Sequence, residues 1–144
     1  MRILSGVLIL GFVVVAGYTA AAQAPLTAAD YPAKMKAVVQ ANQALQMKLK
    51  NNQVAEAVAD AKALSAHFAD IERFWAGLKK ADAVMWAQAA SMGFAEVAAA
   101  AAAGDGMKAQ MAAGNALANC KMCHGMYREG NAQEGFKFKA GTLP

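Results

Sequence analysis

Runs of β-branched residues are almost absent from this chain, there is no glycine-rich phosphate loop, and cysteine and histidine occur only twice each. The first absence argues against a strand-built fold, because strands draw on Val, Ile and Thr for their pleated surfaces. The second removes phosphate-cradling nucleotide sites. No internal repeat is visible, so a solenoid is excluded. Charge is also scarce: charged residues make up 17% of the chain, with a formal net charge of +4. That excess is too mild and too scattered for a nucleic-acid surface. What is abundant is apolar sequence, 58% of 144 residues, enough for the core of a single domain.

Part of that apolar content belongs to the start, MRILSGVLILGFVVVAGYTAAAQAP. Arg2, an apolar run from Ile3 to Tyr18 and small residues in an A-x-A pattern make a secretory signal peptide over residues 1–22, cleaved after Ala22 to leave Gln23 first. The run is short for a membrane span, so no membrane anchor is expected after cleavage. Cleavage removes Arg2 alone and leaves 13 basic residues against 10 acidic, a mature charge of +3. Export also places both cysteines in an oxidising compartment, where each needs a bonding partner.

From Ala28 onward Ala, Lys, Met, Leu, Gln and Glu dominate, which predicts an all-α domain over residues 23–144. Met35, Val38, Val39, Leu45 and Leu49 mark a first helix beginning near Asp30 and Pro32. Val54, Val58, Ala61, Leu64, Phe68, Ile71, Trp75 and Leu78 give a second helix with a continuous apolar stripe. A third is expected from Asp82, as N-cap, through Val84, Trp86, Gly93 and Val97 into the alanine block 98–103. Gly104-Asp105-Gly106 breaks the pattern, and a fourth helix starts near Met107. Helices of this length with short connections predict an antiparallel four-helix bundle, a fold that builds cofactor sites from inward-facing side chains. No strand pair is expected. The tail, residues 129–144, loses helical character, and its FKFK alternation reads as an extended segment lying on the bundle.

The chemistry concentrates in NCKMCHGMYR, residues 119–128. On a helix Cys120, Cys123 and His124 leave from one face. C-x-x-C-H is the attachment pattern of a c-type haem: two thiols bond its vinyl groups and the imidazole reaches the iron. A thioredoxin-type redox pair belongs beside a βαβ unit, which is lacking. A structural zinc site would draw on Cys120, Cys123, His124 and distant His67, with two adjacent residues both bound. Only 20 residues follow His124, and Met126 points to another side of the same helix, so any sixth iron ligand comes from an upstream helix. Paired carboxylates and a second metal cluster are missing near the motif, so an enzyme is not expected.

These residues resemble the class II cytochromes c, cytochrome c′ and its low-spin relatives. Cys120, Cys123, His124, Tyr127 and Arg128 meet the family's C-x-x-C-H-x-x-Tyr-Arg pattern, and Ala103 to Asp105 match its AGD turn. The resemblance runs from about Tyr31 to Arg128. It implies one covalent haem c on the last helix, with His124 as proximal ligand, and it places Met35 on the open side of the iron. Met35 bound to iron implies a periplasmic one-electron carrier; Met35 as mere cover implies a five-coordinate haem that takes NO or CO; and Met35 as core filler remains open. The family often carries an arginine for a haem propionate where Tyr31 stands, and Lys34 is the nearest substitute. Tyr127 is expected to pack on the haem or its proximal pocket, and Arg128 to orient the proximal side. Trp75 and Trp86 are expected in the core and His67 at the surface. Lys79, Lys80, Lys137 and Lys139 offer a basic surface to an acidic redox partner protein, and a homodimer is in keeping with the relatives.

Overall fold

A computed structural model describes residues 24–131 and 135–144 of the chain; the expected signal peptide lies outside the described residues. Four long helices follow one another: α1 (Tyr31–Lys50), α2 (Ala57–Gly77), α3 (Ala81–Ala102) and α4 (Gly106–Tyr127). The domain is thus mostly helical, as composition predicts. Each helix packs on the next in sequence, α2 and α3 most extensively, while α1 and α4 touch only lightly. Among the described residues no helix is long and apolar enough to cross a membrane.

Local chemistry sets the helix limits. Pro32 occupies the first turn of α1, where its missing N–H costs nothing. Lys48 and Lys50 in its last turn meet the negative end of the helix dipole. Asp105 caps α4 by accepting a hydrogen bond from the Lys108 amide at 2.9 Å. The predicted N-cap of α3 needs correction: Lys80 holds that place and Asp82 sits inside the first turn. The Asp82 carboxylate is engaged elsewhere, as described below.

Large side chains and alanines divide the core between them. Trp75, Phe94, Leu45, Leu64 and Val97 are fully buried, with Phe68 and Phe94 rings stacked 5.6 Å apart. The α3–α4 seam is alanine on alanine, with Ala90, Ala98 and Ala101 facing the same core as Ala109, Ala112 and Ala116. At Gly93 a side chain has no room: an added Cβ would lie 2.9 Å from Ala116 Cβ and 3.2 Å from Ala116 Cα. The alanine block is therefore a packing surface, as its composition implies.

The tail departs from expectation. Beyond α4 the chain forms an antiparallel hairpin, β1 (Arg128–Asn131) against β2 (Gly135–Phe138), pairing Arg128 with Phe138 and Asn131 with Gly135. The extended FKFK segment is present, and, against the expectation of no strand pair, it is partnered by β1. The reason is visible in β1, whose four residues REGN are all exposed and carry no alternating signal. Gly130 is required there: at φ +86° its missing Cβ would stand 2.1 Å from the Gly135 carbonyl oxygen. Phe138 anchors the hairpin, its ring lying 5.0 Å from Tyr31 and 5.8 Å from Trp75.

Gly93→Ala should lower stability by about 1–2 kcal/mol in denaturant unfolding, since overpacking against the α4 backbone outweighs a helix-propensity gain of at most about 1 kcal/mol. Adding Ala116→Gly should restore part of the loss by removing the Cβ in the way.

Candidate functional site

Where α1 and α4 diverge, the structure holds a cavity of about 550 Å³. Its size falls in the range of cofactor sites. Cys120, Cys123 and His124 reach it from α4, and Met35 from α1, so the three motif residues and the proposed distal residue share one chamber. Both thiols are unpaired and half-buried. The remaining walls are largely aromatic and aliphatic, including Phe68, Ile71, Trp75, Trp86, Leu117 and Phe138.

Two details fit this chamber to a large, mainly apolar group. Val39, which the periodicity of α1 places among its apolar markers, is more than half exposed, and so is Phe136; both lie on the cavity wall. Asn42, on the same wall, has a buried Oδ1 without a hydrogen-bond partner among the described residues. Native proteins seldom leave a buried acceptor unsatisfied, so this wall has room for one hydrogen-bond donor beside its apolar surface.

The end of α4 is fixed by Tyr127. Its hydroxyl donates to Asp82 Oδ1 at 2.5 Å, and its ring lies 4.7 Å from Trp75 and 6.5 Å from Trp86. The hydrogen bond holds the Asp82 carboxyl below its usual range and, after burial, is the second cause that pushes Tyr127 up to about 12. Trp75 Nε1 in turn donates to Tyr31 Oη at 3.0 Å, buried beneath the cavity. Burial foremost raises the Tyr31 hydroxyl well above its usual value. Trp75 is both core and cavity wall. Trp86 is not a core residue but a half-buried wall residue edged against Tyr127.

Burial favours the neutral forms of the three motif side chains. Burial pushes the Cys120 and Cys123 thiols up to about 11, so at neutral pH they are thiols and not nucleophilic thiolates. A thioredoxin-like exchange site requires the opposite shift. Burial, then the Arg128 cation, lowers His124, which leaves the imidazole neutral with a lone pair for a metal. The Arg128 guanidinium stacks over the Phe136 ring at 4.0 Å.

Two expected residues lie elsewhere. Lys34 donates to Asp70 at 2.7 Å and sits 3.5 Å from His67 Nδ1, in a separate cavity of about 360 Å³ that Arg73 also lines. Lys34 is therefore not placed for a propionate in the larger chamber; Lys36, Arg128 and Lys137 line it. His67 is held near the surface, and burial followed by the Lys34 charge lowers its pKa. Among the described residues no three His, Cys, Asp or Glu side chains converge as metal ligands, so the zinc set with His67 has no geometric support. Lys137 pairs with Glu129 at 3.6 Å and Lys139 donates to the Gly125 carbonyl at 2.7 Å. Family models, curated proteins and solved structures yield no match to this chain. The resemblance to class II cytochromes c rests on the motif residues themselves.

Tyr127→Phe should destabilise the domain by about 1 kcal/mol at neutral pH through loss of a hydrogen bond to a charged, partly exposed acceptor. A carboxyl whose folded pKa is depressed contributes stability above its unfolded pKa and loses it as pH falls through the folded value. The gap between wild type and variant should therefore narrow on acidification below the ordinary carboxylate range, as followed by thermal unfolding. In the chain with both thiols free, alkylation by iodoacetamide should accelerate about tenfold per pH unit up to near pH 11, whereas the unfolded chain should level off near its ordinary thiol pKa of about 8.5.

Proposed function

We propose that this chain is an exported c-type cytochrome that carries one covalent haem and passes single electrons between redox partner proteins in the periplasm. The observation that carries the reading is the convergence of Cys120, Cys123 and His124 with Met35 on one apolar cavity of cofactor size. In this reading the signal peptide directs export, and the domain is a carrier and not an enzyme. Its four helices form an antiparallel bundle with the haem-attachment helix last, supported by the packing of each helix on the next and the short connections 78–80 and 103–105.

The residues have separate duties. The Cys120 and Cys123 thiols would hold the haem covalently as two thioethers. Held neutral by burial, they meet the apolar wall without an unpaired charge. The neutral His124 imidazole offers its lone pair from the α4 side, and Met35 offers a thioether from α1. Haem, when bound, supplies a one-electron couple at iron whose potential a thioether ligand raises. The aromatic wall of Trp75, Trp86, Tyr127 and Phe138 keeps water from the site. Tyr127, clamped by Asp82, holds the last turn of α4 so that His124 keeps its position. Lys36, Arg128 and Lys137 stand on the chamber wall where haem carboxylates would find a cation. Lys79 and Lys80, with the hairpin lysines, present positive charge to an acidic partner. A homodimer belongs to the same reading through its resemblance to the family.

Spectra of the haem-loaded protein before and after carbon monoxide test the axial arrangement. The expected result is a low-spin spectrum with a sulfur-to-iron band, unmoved by the gas and lost in Met35→Leu. A high-spin spectrum that shifts at once with carbon monoxide would replace electron transfer with binding of NO or CO at an open iron. His124→Ala should lose the proximal ligand while covalent attachment through the thiols persists.

A further inference from the structure

Methionine is by nature a core residue, an unbranched apolar chain with a soft sulfur. Here it is mostly on the outside. The outer side of α4 shows this most strongly, with Met107 78% exposed, Met111 67%, Met122 57% and Met126 54%. The buried residues of α4 are Ala109, Ala112, Ala113 and Ala116. At 100° per residue Met107 and Met111 project from the side opposite these alanines; Met122 returns close to that side three turns on, and Met126, one turn later, lies about a quarter turn round on the flank. The helix thus packs with alanine and spends its methionines on solvent.

Spacing adds the second observation. Met107 and Met111 are four apart, as are Met122 and Met126, which sets each pair about 5–6 Å apart at Cβ on neighbouring turns. Two flexible thioethers at that distance reach one ion. The other exposed methionines lack such a neighbour: Met47 is twelve residues from Met35, the other methionine of α1, and Met85 and Met92 on α3 are separated by two turns, about 10 Å. Those three provide an internal control.

We propose that the outer face of α4 holds two copper(I) sites, one at Met107–Met111 and one at Met122–Met126. Thioether sulfur is a neutral, soft ligand that selects copper(I) over zinc and over the hard, oxygen-seeking cations. Each ion takes two sulfurs and exchanges the rest of its shell with solvent. A thioether has no proton to lose, so binding releases none and is insensitive to pH, unlike capture by thiol or imidazole. The second sulfur of a pair binds at high effective concentration, which gives the pairs at least about a tenfold advantage over the single methionines. The sites lie away from the cavity face of α4 and do not depend on the haem reading.

The test is anaerobic titration of copper(I), supplied as its acetonitrile complex, into protein labelled with ¹³C at the methionine methyls. The methyls of Met107, Met111, Met122 and Met126 should move together and saturate at two ions per chain. Those of Met47, Met85 and Met92 should respond only at about tenfold higher free copper. Met111→Leu should weaken the Met107 response about tenfold and leave the second pair unchanged, since leucine keeps the helix and the apolar surface but removes the sulfur. The same responses are expected at pH 6 and pH 8, and in Cys120→Ala/Cys123→Ala, where no thiol competes. Equal movement of all seven exposed methyls, or none before the protein precipitates, would overturn the proposal.

Discussion

The azimuth of α4 is the constraint on which the rest depends. A helix turns about 100° per residue, so a slip of one position would carry Cys120, Cys123 and His124 off the cavity wall together. Three contacts along its length prevent this. Asp105 caps the first turn, Ala116 sits flush on Gly93 at mid-helix, and Tyr127 is tied to Asp82 at the end. Each uses α3 or the turn leading from it, so the frame that aims the site is the α3–α4 seam. The lighter α1–α4 contact leaves the space that the site occupies.

The division of labour between alanine and aromatic residues follows from that geometry. Alanine brings α3 and α4 close and fixes their register with almost no side-chain freedom to lose. The bulky rings gather instead at the other end, where Tyr31, Phe74, Trp75, Tyr127 and Phe138 pack into one cluster beside the cavity. Such a wall is rigid and apolar, and its two buried polar tips, Trp75 Nε1 and Tyr31 Oη, satisfy each other. The neutral thiols and imidazole match it, because in a low-dielectric site an unpaired charge would be costly.

Much of this was legible in the sequence because it is periodic. The second helix announces itself through the stripe from Val54 to Leu78, and the Gly104–Gly106 break marks the start of the fourth. The cysteines and histidine fall on one face by spacing alone, and Met35, singled out by the family pattern, lines the same cavity. What escaped depends on partners distant in sequence. Asp82 looks like an N-cap until Tyr127, 45 residues later, is seen to claim it. Lys34 looks like a propionate partner until Asp70 draws it to the other side of α1. The hairpin hides because REGN is exposed on every position, and Trp86 sits on a helical apolar period that serves a cavity wall as well as it would a core.

If the proposed reading holds, the chamber takes a group bonded to Cys120 and Cys123. The intact mass of the protein, expressed where c-type haem is attached and then denatured and freed of everything not covalently held, decides this. The expected result is one species heavier than the polypeptide by a single haem, with the addition mapped to the peptide containing Cys120 and Cys123 and absent from Cys120→Ala/Cys123→Ala. A mature chain that carries no added mass when expressed where c-type haem is attached would contradict it.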